Sequence, residues 1–256
     1  MPQRLGQHFL VRESVLEQLA AAACGVHTPR LIEIGPGRGA LTRHLLRRTE
    51  ELHAIELDRS LASYLRKKFA DDPKLYVHEA DVLRTNLSQW GPAIICGNLP
   101  SYITSPIIER FLQLGEQFPS ALFLMQWEVA QRIVAGPGSR NYGYLTVAVQ
   151  LICEVELTCK VPPAAFAPQP KVDSAAVRFV RKAETPADLP GLLRFVGRCF
   201  AQKRKTLRNN LRPHYGELAD ALAEAQLRAE QVGASEFARL REQLDSPMPH
   251  SGPSVH

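Results

Sequence analysis

The sequence predicts an α/β protein whose mainly parallel sheet is followed by a small all-helical C-terminal domain. Three observations predict it. Short apolar runs at 31–34, 52–57, 75–78, 93–96 and 120–125 alternate with stretches of helical spacing, the pattern of successive βαβ units. A glycine cluster, GPGRG at 35–39, follows directly on the first of these runs. Beyond residue 183 no further strand is evident, and 192–244 reads as several short helices rich in Leu, Ala, Arg and Glu.

The elements can be justified in order. After a polar start ending in GQHFL, Val15, Leu16, Leu19 and Ala23 recur at helical spacing. The strand at 31–34 runs into the glycine loop, and Leu41, Leu45 and Leu46 mark the inner face of the next helix. The second strand closes on Glu56 and Asp58, and a helix covers 61–69. The third strand leads to an acidic turn at Asp81. The fourth, AIIC, enters GNLPSYITSP at 97–106, where two prolines forbid regular ladder bonding before helical spacing resumes over 103–112. Past the fifth strand, the pattern predicts a helix at 127–134, a polar loop at 136–144 and a strand at 145–152. A proline-rich loop at 161–172 and an alternating strand at 172–180 follow. The break at Glu184-Thr185-Pro186 divides an α/β domain (1–183) from a helical one (184–245). The tail at 246–256, made of Pro, Ser, Gly and His, is expected to be disordered.

Composition narrows the function classes. With 31 Lys and Arg against 26 Asp and Glu, the net charge of +5 permits a polyanionic partner without demanding one. The cysteines, 24, 96, 153, 159 and 199, form no CxxC pair and have no His at zinc spacing. A metal site and a disulfide framework are therefore not expected. No apolar h-region opens the chain, and no apolar run approaches the ~20 residues needed to span a bilayer. The expectation is a cytoplasmic protein with no membrane partner, a monomer by default.

Right-handed crossovers bring the loops after parallel strands to one edge of the sheet, where open α/β proteins bind ligands. The glycine loop allows a tight turn and close approach to a helix N-terminus. Alone it is ambiguous, because Gly35, Gly37 and Ala40 also satisfy the dinucleotide fingerprint in its Gly/Ala form. Three acids at successive strand ends narrow the choice. Glu56 is placed to accept both hydroxyls of an adenosine ribose, and Asp81 to bond an adenine amino group. Glu33, beside the loop, disfavours a pyrophosphate but suits a ligand carrying an ammonium and a sulfonium, which favours S-adenosylmethionine over NAD.

GQHFL, EIGPGRGALT, IELDRS, EADVL, GNLPSYITSP, MQWEVAQRI, NYGYLTVAVQ, FAPQPKVDSAAVRF and CFAQKRKTLRNNL occur in this order. In this respect the chain closely resembles the bacterial small-subunit ribosomal RNA adenine dimethyltransferases, from about Gln3 to beyond Leu211. The resemblance implies a Rossmann-like S-adenosylmethionine-dependent methyltransferase domain with a small helical domain behind it. It also implies transfer of methyl groups to two adjacent adenosines near the 3′ end of 16S rRNA, within the 30S subunit or its precursor. The wider family includes 23S rRNA methyltransferases. That specificity, and a non-catalytic RNA-binding assembly factor of the same fold, are the alternatives.

Carried over residue by residue, the resemblance puts His8, Leu10, Gly35, Gly37, Glu56, Asp81 and Asn98 at the cofactor. Asn98, Leu99 and Pro100 form the catalytic loop, with Asn98 facing both cofactor and target base. Phe166 would stack on the target adenine. Where many relatives carry an aromatic after NLP this chain has Ser101, so either Tyr102 supplies the second face or the pocket relies on Phe166 and on RNA contacts outside it. Lys203, Arg204, Lys205 and Arg208 would contact RNA phosphates, Lys205 and Arg208 sharing one helical face with Arg204 next to it, and Arg132, Arg140 and Lys171 would extend the track.

Overall fold

Seven strands in the order β4-β3-β2-β5-β6-β9-β7 form the central sheet. The strands are β2 (Thr28–Ile34), β3 (Thr49–Glu56), β4 (Leu75–Glu79), β5 (Ile94–Asn98), β6 (Ser120–Gln126), β7 (Cys153–Val161) and β9 (Ser174–Arg181). The first five are mutually parallel, whereas β9 runs antiparallel to β6 and β7 antiparallel to β9. This computed structural model describes residues 8–24 and 28–246. Apart from Ser246, the expected tail lies outside the described residues.

The central strands read as continuous apolar runs because both of their faces are covered. Leu31, Ile32, Leu52, Ala54, Ile95, Cys96 and 121–125 are all buried. The connecting helices are α2 (Thr42–Leu45), α3 (Arg59–Lys68) and α4 (Thr104–Gln113), and α1 (Glu13–Cys24) precedes β2. Asp58 caps α3, its carboxylate accepting from the amides of Ser60 (2.8 Å) and Leu61 (3.1 Å). The C-terminal carbonyls of α4 find a partner in Arg181, whose Nη2 donates to Phe111 O at 2.9 Å. Its guanidinium also lies 5.2 Å from the centre of the Phe111 ring.

A second, two-stranded pairing joins β1 (Phe9–Leu10) to β8 (Phe166–Ala167), antiparallel, with Leu10 opposite Phe166. It ties the start of the described chain to the proline-rich loop.

The expected strand at 145–152 is instead helix α6 (Tyr144–Ile152). Thr146, Val147, Ala148, Val149, Leu151 and Ile152 are all buried. A helix apolar on most of its circumference shows no 3.6-residue period to tell it from a buried strand. The strand lies one step later, as β7, an outermost strand with Glu154, Glu156 and Lys160 exposed.

The chain packs as two units. One runs to Val134 and resumes over Cys153–Ala183, and the other joins Ala135–Ile152 to the chain from Glu184 onward. The expected continuous 1–183 domain is thus interrupted by 135–152, which packs with the helical part. Within that unit the Tyr142 hydroxyl donates to Val232 O at 2.9 Å and the Gly138 amide to Glu230 O at 2.7 Å. Its helices include α7 (Leu189–Cys199), α8 (Leu207–Tyr215) and α9 (Glu236–Asp245), and it contains no strand among the described residues. Helix α5 (Trp127–Ile133) belongs to the sheet unit, as its amide bond from Trp127 to Asp173 O (2.9 Å) reflects.

Candidate active site

The C-terminal ends of the parallel strands collect the predicted residues on one edge. Ile34 is level with Ile55 on β3 and with Gly97 on β5, Glu56 with Glu79, and Asn98 with Leu124. Gly35 (φ +64°) and Gly37 (φ +57°) turn the chain away from β2 in the left-handed region open to glycine. A Cβ on Gly37 would meet the Phe9 ring at 2.9 Å. The Arg38 guanidinium lies 4.9 Å from the centre of that ring.

Glu56 braces this loop. Its Oε2 accepts from the Gly37 amide at 3.0 Å and its Oε1 from the Asp58 amide at 2.9 Å. Burial holds its carboxyl above the ordinary value, and these amides offset only part of that rise. Each oxygen keeps a further lone pair, so the group can still accept two hydroxyls. Asp81 opens the turn after β4, accepting from the Leu83 amide at 2.9 Å, and its side chain remains about one-third exposed (37%).

Glu33 behaves differently from the expectation. It is buried, its carboxyl accepts from the Thr42 hydroxyl at 2.7 Å, and burial pushes its pKa up to about 8. A carboxyl that is mostly protonated at neutral pH supplies no full negative charge to the loop. The electrostatic argument from Glu33 against a pyrophosphate is therefore not supported by its environment.

Asn98 ends β5, and its Nδ2 donates to the His8 carbonyl at 3.2 Å. The His8 ring in turn donates from Nδ1 to Pro168 O at 2.8 Å. Leu99 is buried, its amide bonded to Leu124 O at 2.8 Å. The Pro100 carbonyl accepts from the Ile103 amide (3.1 Å) and the Thr104 hydroxyl (3.0 Å), which seats the loop on the start of α4. Ser101 and Tyr102 are exposed.

Two residues are placed otherwise than their expected roles suggest. Leu10 (5% exposed) and Phe166 (4%) face each other across the β1–β8 pair, inside one hydrophobic cluster with Leu16, Leu19 and Ala165. Phe166 is a core side chain here and presents no free aromatic face.

The basic cluster also departs from a helical stripe. Residues 203–205 form an exposed turn ahead of α8, which begins only at Leu207 with Thr206 as its cap. Arg208, inside α8, is paired with Asp220 at 2.5 Å. The turn is anchored by Asn210, a buried side chain whose Nδ2 donates to Cys199 O (2.7 Å) and Gln202 O (3.2 Å). Of the residues expected to extend the track, Arg132 is paired with Glu128, while Arg140 and Lys171 are exposed.

Two further contacts join segments distant in sequence. Lys160 sits 4.9 Å from the centre of the Trp127 ring and bonds Asp173 at 2.6 Å, bringing the MQWEV and KVDS segments together. Arg110 on α4 donates to carbonyls of the turn after Asp81. Neither has a local signal, since each depends on a strand or turn far away in sequence. Among the described residues no group of three or more His, Cys, Asp or Glu could hold a metal ion, and no helix is long and apolar enough to cross a membrane.

Comparison with known proteins agrees with this geometry. Residues 2–240 match the family model described as ribosomal RNA adenine dimethylase. The chain is 38% identical over 264 residues to ribosomal RNA small subunit methyltransferase A of Picosynechococcus sp., covering 95% of this chain and 97% of the relative. A solved dimethyladenosine transferase from Plasmodium falciparum superposes with a TM-score of 0.82 at 25% identity, covering 91% and 96% of the two chains. The 23S rRNA methyltransferase ErmE gives 0.71 at 30% identity, covering 93% and 100%.

Proposed function

The chain belongs to the ribosomal RNA adenine dimethylase family, and on that premise we propose that it dimethylates the 6-amino groups of two adjacent adenosines near the 3′ end of 16S rRNA. The substrate is the small ribosomal subunit or its precursor, and the methyl donor is S-adenosylmethionine. The observation that carries the reading is Asn98, whose amide is oriented by His8 at the edge where Gly35, Glu56 and Asp81 also converge.

The residues present fit that cofactor. Glu56 retains acceptor capacity for both ribose hydroxyls, Asp81 would exchange its loose contact with the exposed Arg84 (Nε to Oδ2, 3.6 Å) for an adenine amino group, and the half-buried Gly35 lets the chain turn beside them. His8 orients Asn98 through its carbonyl, and Leu10 lies in the core cluster beneath this segment rather than in direct contact with the cofactor. When bound, the cofactor supplies an electrophilic methyl group on a good leaving group.

The 6-amino group of adenine is a weak nucleophile because its lone pair is delocalised into the ring. With Nδ2 committed to His8, the Asn98 Oδ1 is the side-chain atom left to accept from that amine, and the Leu99 carbonyl accepts its second N–H. These two bonds draw the nitrogen towards a pyramidal geometry and aim its lone pair. Positioning and electrostatics then provide most of the catalysis. No strong base is needed, because the amine proton becomes acidic only after transfer.

The target adenine must leave its stack, and an aromatic face offsets part of that cost. Tyr102, 54% exposed beside the catalytic loop, is the face that is available. Phosphates are held by the exposed turn of Lys203, Arg204 and Lys205, with Arg208 contributing less because of Asp220. The likeness to ErmE favours a second reading, methylation of 23S rRNA.

Both readings are tested by incubating the protein and labelled S-adenosylmethionine with small or large subunits lacking the modification, followed by mass analysis of the RNA fragment. Two dimethyladenosines in 16S rRNA are expected. Label in 23S rRNA alone would select the second reading, and no transfer to either would overturn both.

A further inference from the structure

Helix α4 starts two residues after Tyr102, and the catalytic loop is seated on its first turn by the Pro100 carbonyl, independently of the helix's far end. Arg110 lies on this helix, half-buried, and its guanidinium reaches away from it to the turn after β4. Nη1 donates to Leu83 O at 2.9 Å and Nη2 to Thr85 O. That turn is closed around Asp81. The amides of Arg84 and Thr85 both donate to the Asp81 carbonyl at 3.0 Å, the Thr85 hydroxyl donates to the same oxygen at 2.8 Å, and the Leu83 amide donates to the Asp81 carboxylate. The buried side chains of Val82 and Leu87 meet Ile107 and Phe111 of α4 around the same small hollow. Asn98 and Asp81 are thus joined through the Pro100 carbonyl, helix α4, Arg110 and two turn carbonyls.

We propose that Arg110 is a positioning residue for the cofactor: it sets the 81–85 turn so that Asp81 meets the adenine amino group, and ties that setting to the helix behind the catalytic loop. The proposal rests on the assignment of Asp81 to the cofactor adenine. A planar guanidinium spans two carbonyls at once, whereas a lysine ammonium is a point charge that serves them less well. Arg110 touches neither the turn carboxylate nor the loop that carries the amine acceptors. Its loss weakens cofactor binding and leaves the chemical step, once the site is full, largely as it was.

The test uses S-adenosylhomocysteine binding by calorimetry, methyl-transfer kinetics and amide hydrogen exchange in the full chain. Arg110→Ala is expected to weaken S-adenosylhomocysteine about tenfold, with Arg110→Lys in between. KM for S-adenosylmethionine should rise while kcat at saturation stays within about threefold, and exchange over 83–85 should accelerate. In an Asp81→Asn background the Arg110→Ala effect should largely disappear, the signature of two residues acting as one unit. Wild-type affinity in both Arg110 variants would overturn the proposal, as would a loss of equal size in the Asp81→Asn background. If Arg110→Ala does not fold, the lysine variant decides on the same readouts. Wild-type protein that fails to bind S-adenosylhomocysteine removes the cofactor assignment, and the proposal with it, a result distinct from unaltered binding by the variants.

Discussion

The Asn98 side-chain amide donates to the His8 carbonyl at 3.2 Å, so a residue at the end of a central strand is oriented by a segment ninety positions earlier in the chain. An amide with its NH₂ pinned in this way can turn only its oxygen towards a substrate amine. Asn98→Ala should lower methyl transfer by at least about a hundredfold, the scale seen when one pre-organised polar group is removed from a reacting centre. S-adenosylhomocysteine affinity should change little. Asn98→Asp keeps the acceptor but cannot donate to His8, and should also be poorly active. Near-normal turnover by either variant in a single-turnover assay would remove Asn98 from this role.

The two aromatics near the site should separate cleanly. Phe166 is 4% exposed in the core cluster opposite Leu10, so Phe166→Ala should cost about 3–5 kcal/mol in urea unfolding. Tyr102 is 54% exposed, and Tyr102→Ala should leave stability within about 0.5 kcal/mol. Its effect should fall on RNA binding instead, by about 1–3 kcal/mol as expected for lost base stacking. The reverse pattern would return the stacking role to Phe166.

Glu33 makes stability depend on pH in a direction unlike that of a paired surface acid. Burial pushes its carboxyl from the ordinary value of 4.5 up to about 8 in the fold. Between those values the folded state holds a proton that the unfolded state has lost. The contribution of this group is therefore fully present below about pH 4.5 and declines as pH rises towards 8. Comparison of urea unfolding for wild type and Glu33→Gln from pH 5 to 8 should show the wild type losing stability relative to the variant, by up to about 1.4 kcal/mol per pH unit. Parallel profiles would mean that Glu33 is ionised in the fold.

The exposed turn at 203–205 and the paired Arg208 predict different salt responses. Replacing Lys203, Arg204 and Lys205 together with Ala should reduce the slope of log affinity against log salt by about 2 for single-stranded contacts and nearer ~3 for duplex ones. Arg208→Ala should change it less, since its guanidinium is already held by Asp220. Equal slopes for wild type and the triple variant in filter binding to small-subunit RNA would exclude the turn as a phosphate contact.

Much of this was legible in the sequence for local reasons. Apolar runs such as 31–34 and 93–96 became central parallel strands because both faces of such strands are buried, and GPGRG became a left-handed turn because glycine alone enters that region freely. Leu145 and its neighbours misled, because a helix buried on most sides lacks the periodicity that identifies helices. The basic run at 203–205 looked helical by composition, yet the helix starts only where Thr206 offers a cap.

By itself the sequence determined the order of strands and loops, the family motifs and the edge of the sheet on which the site forms. Parallel βαβ connections carry every strand end to one side whatever the side chains do. Only the tertiary structure decided which of those residues are free to act. It buried Glu33 and Phe166, left Tyr102 open, paired Arg208 with Asp220, and turned Asn98 by a carbonyl from His8. The physical reason is distance along the chain. Periodicity and turn chemistry are set by neighbours a few residues apart, whereas burial, protonation and amide orientation depend on groups that only the closed fold brings into contact.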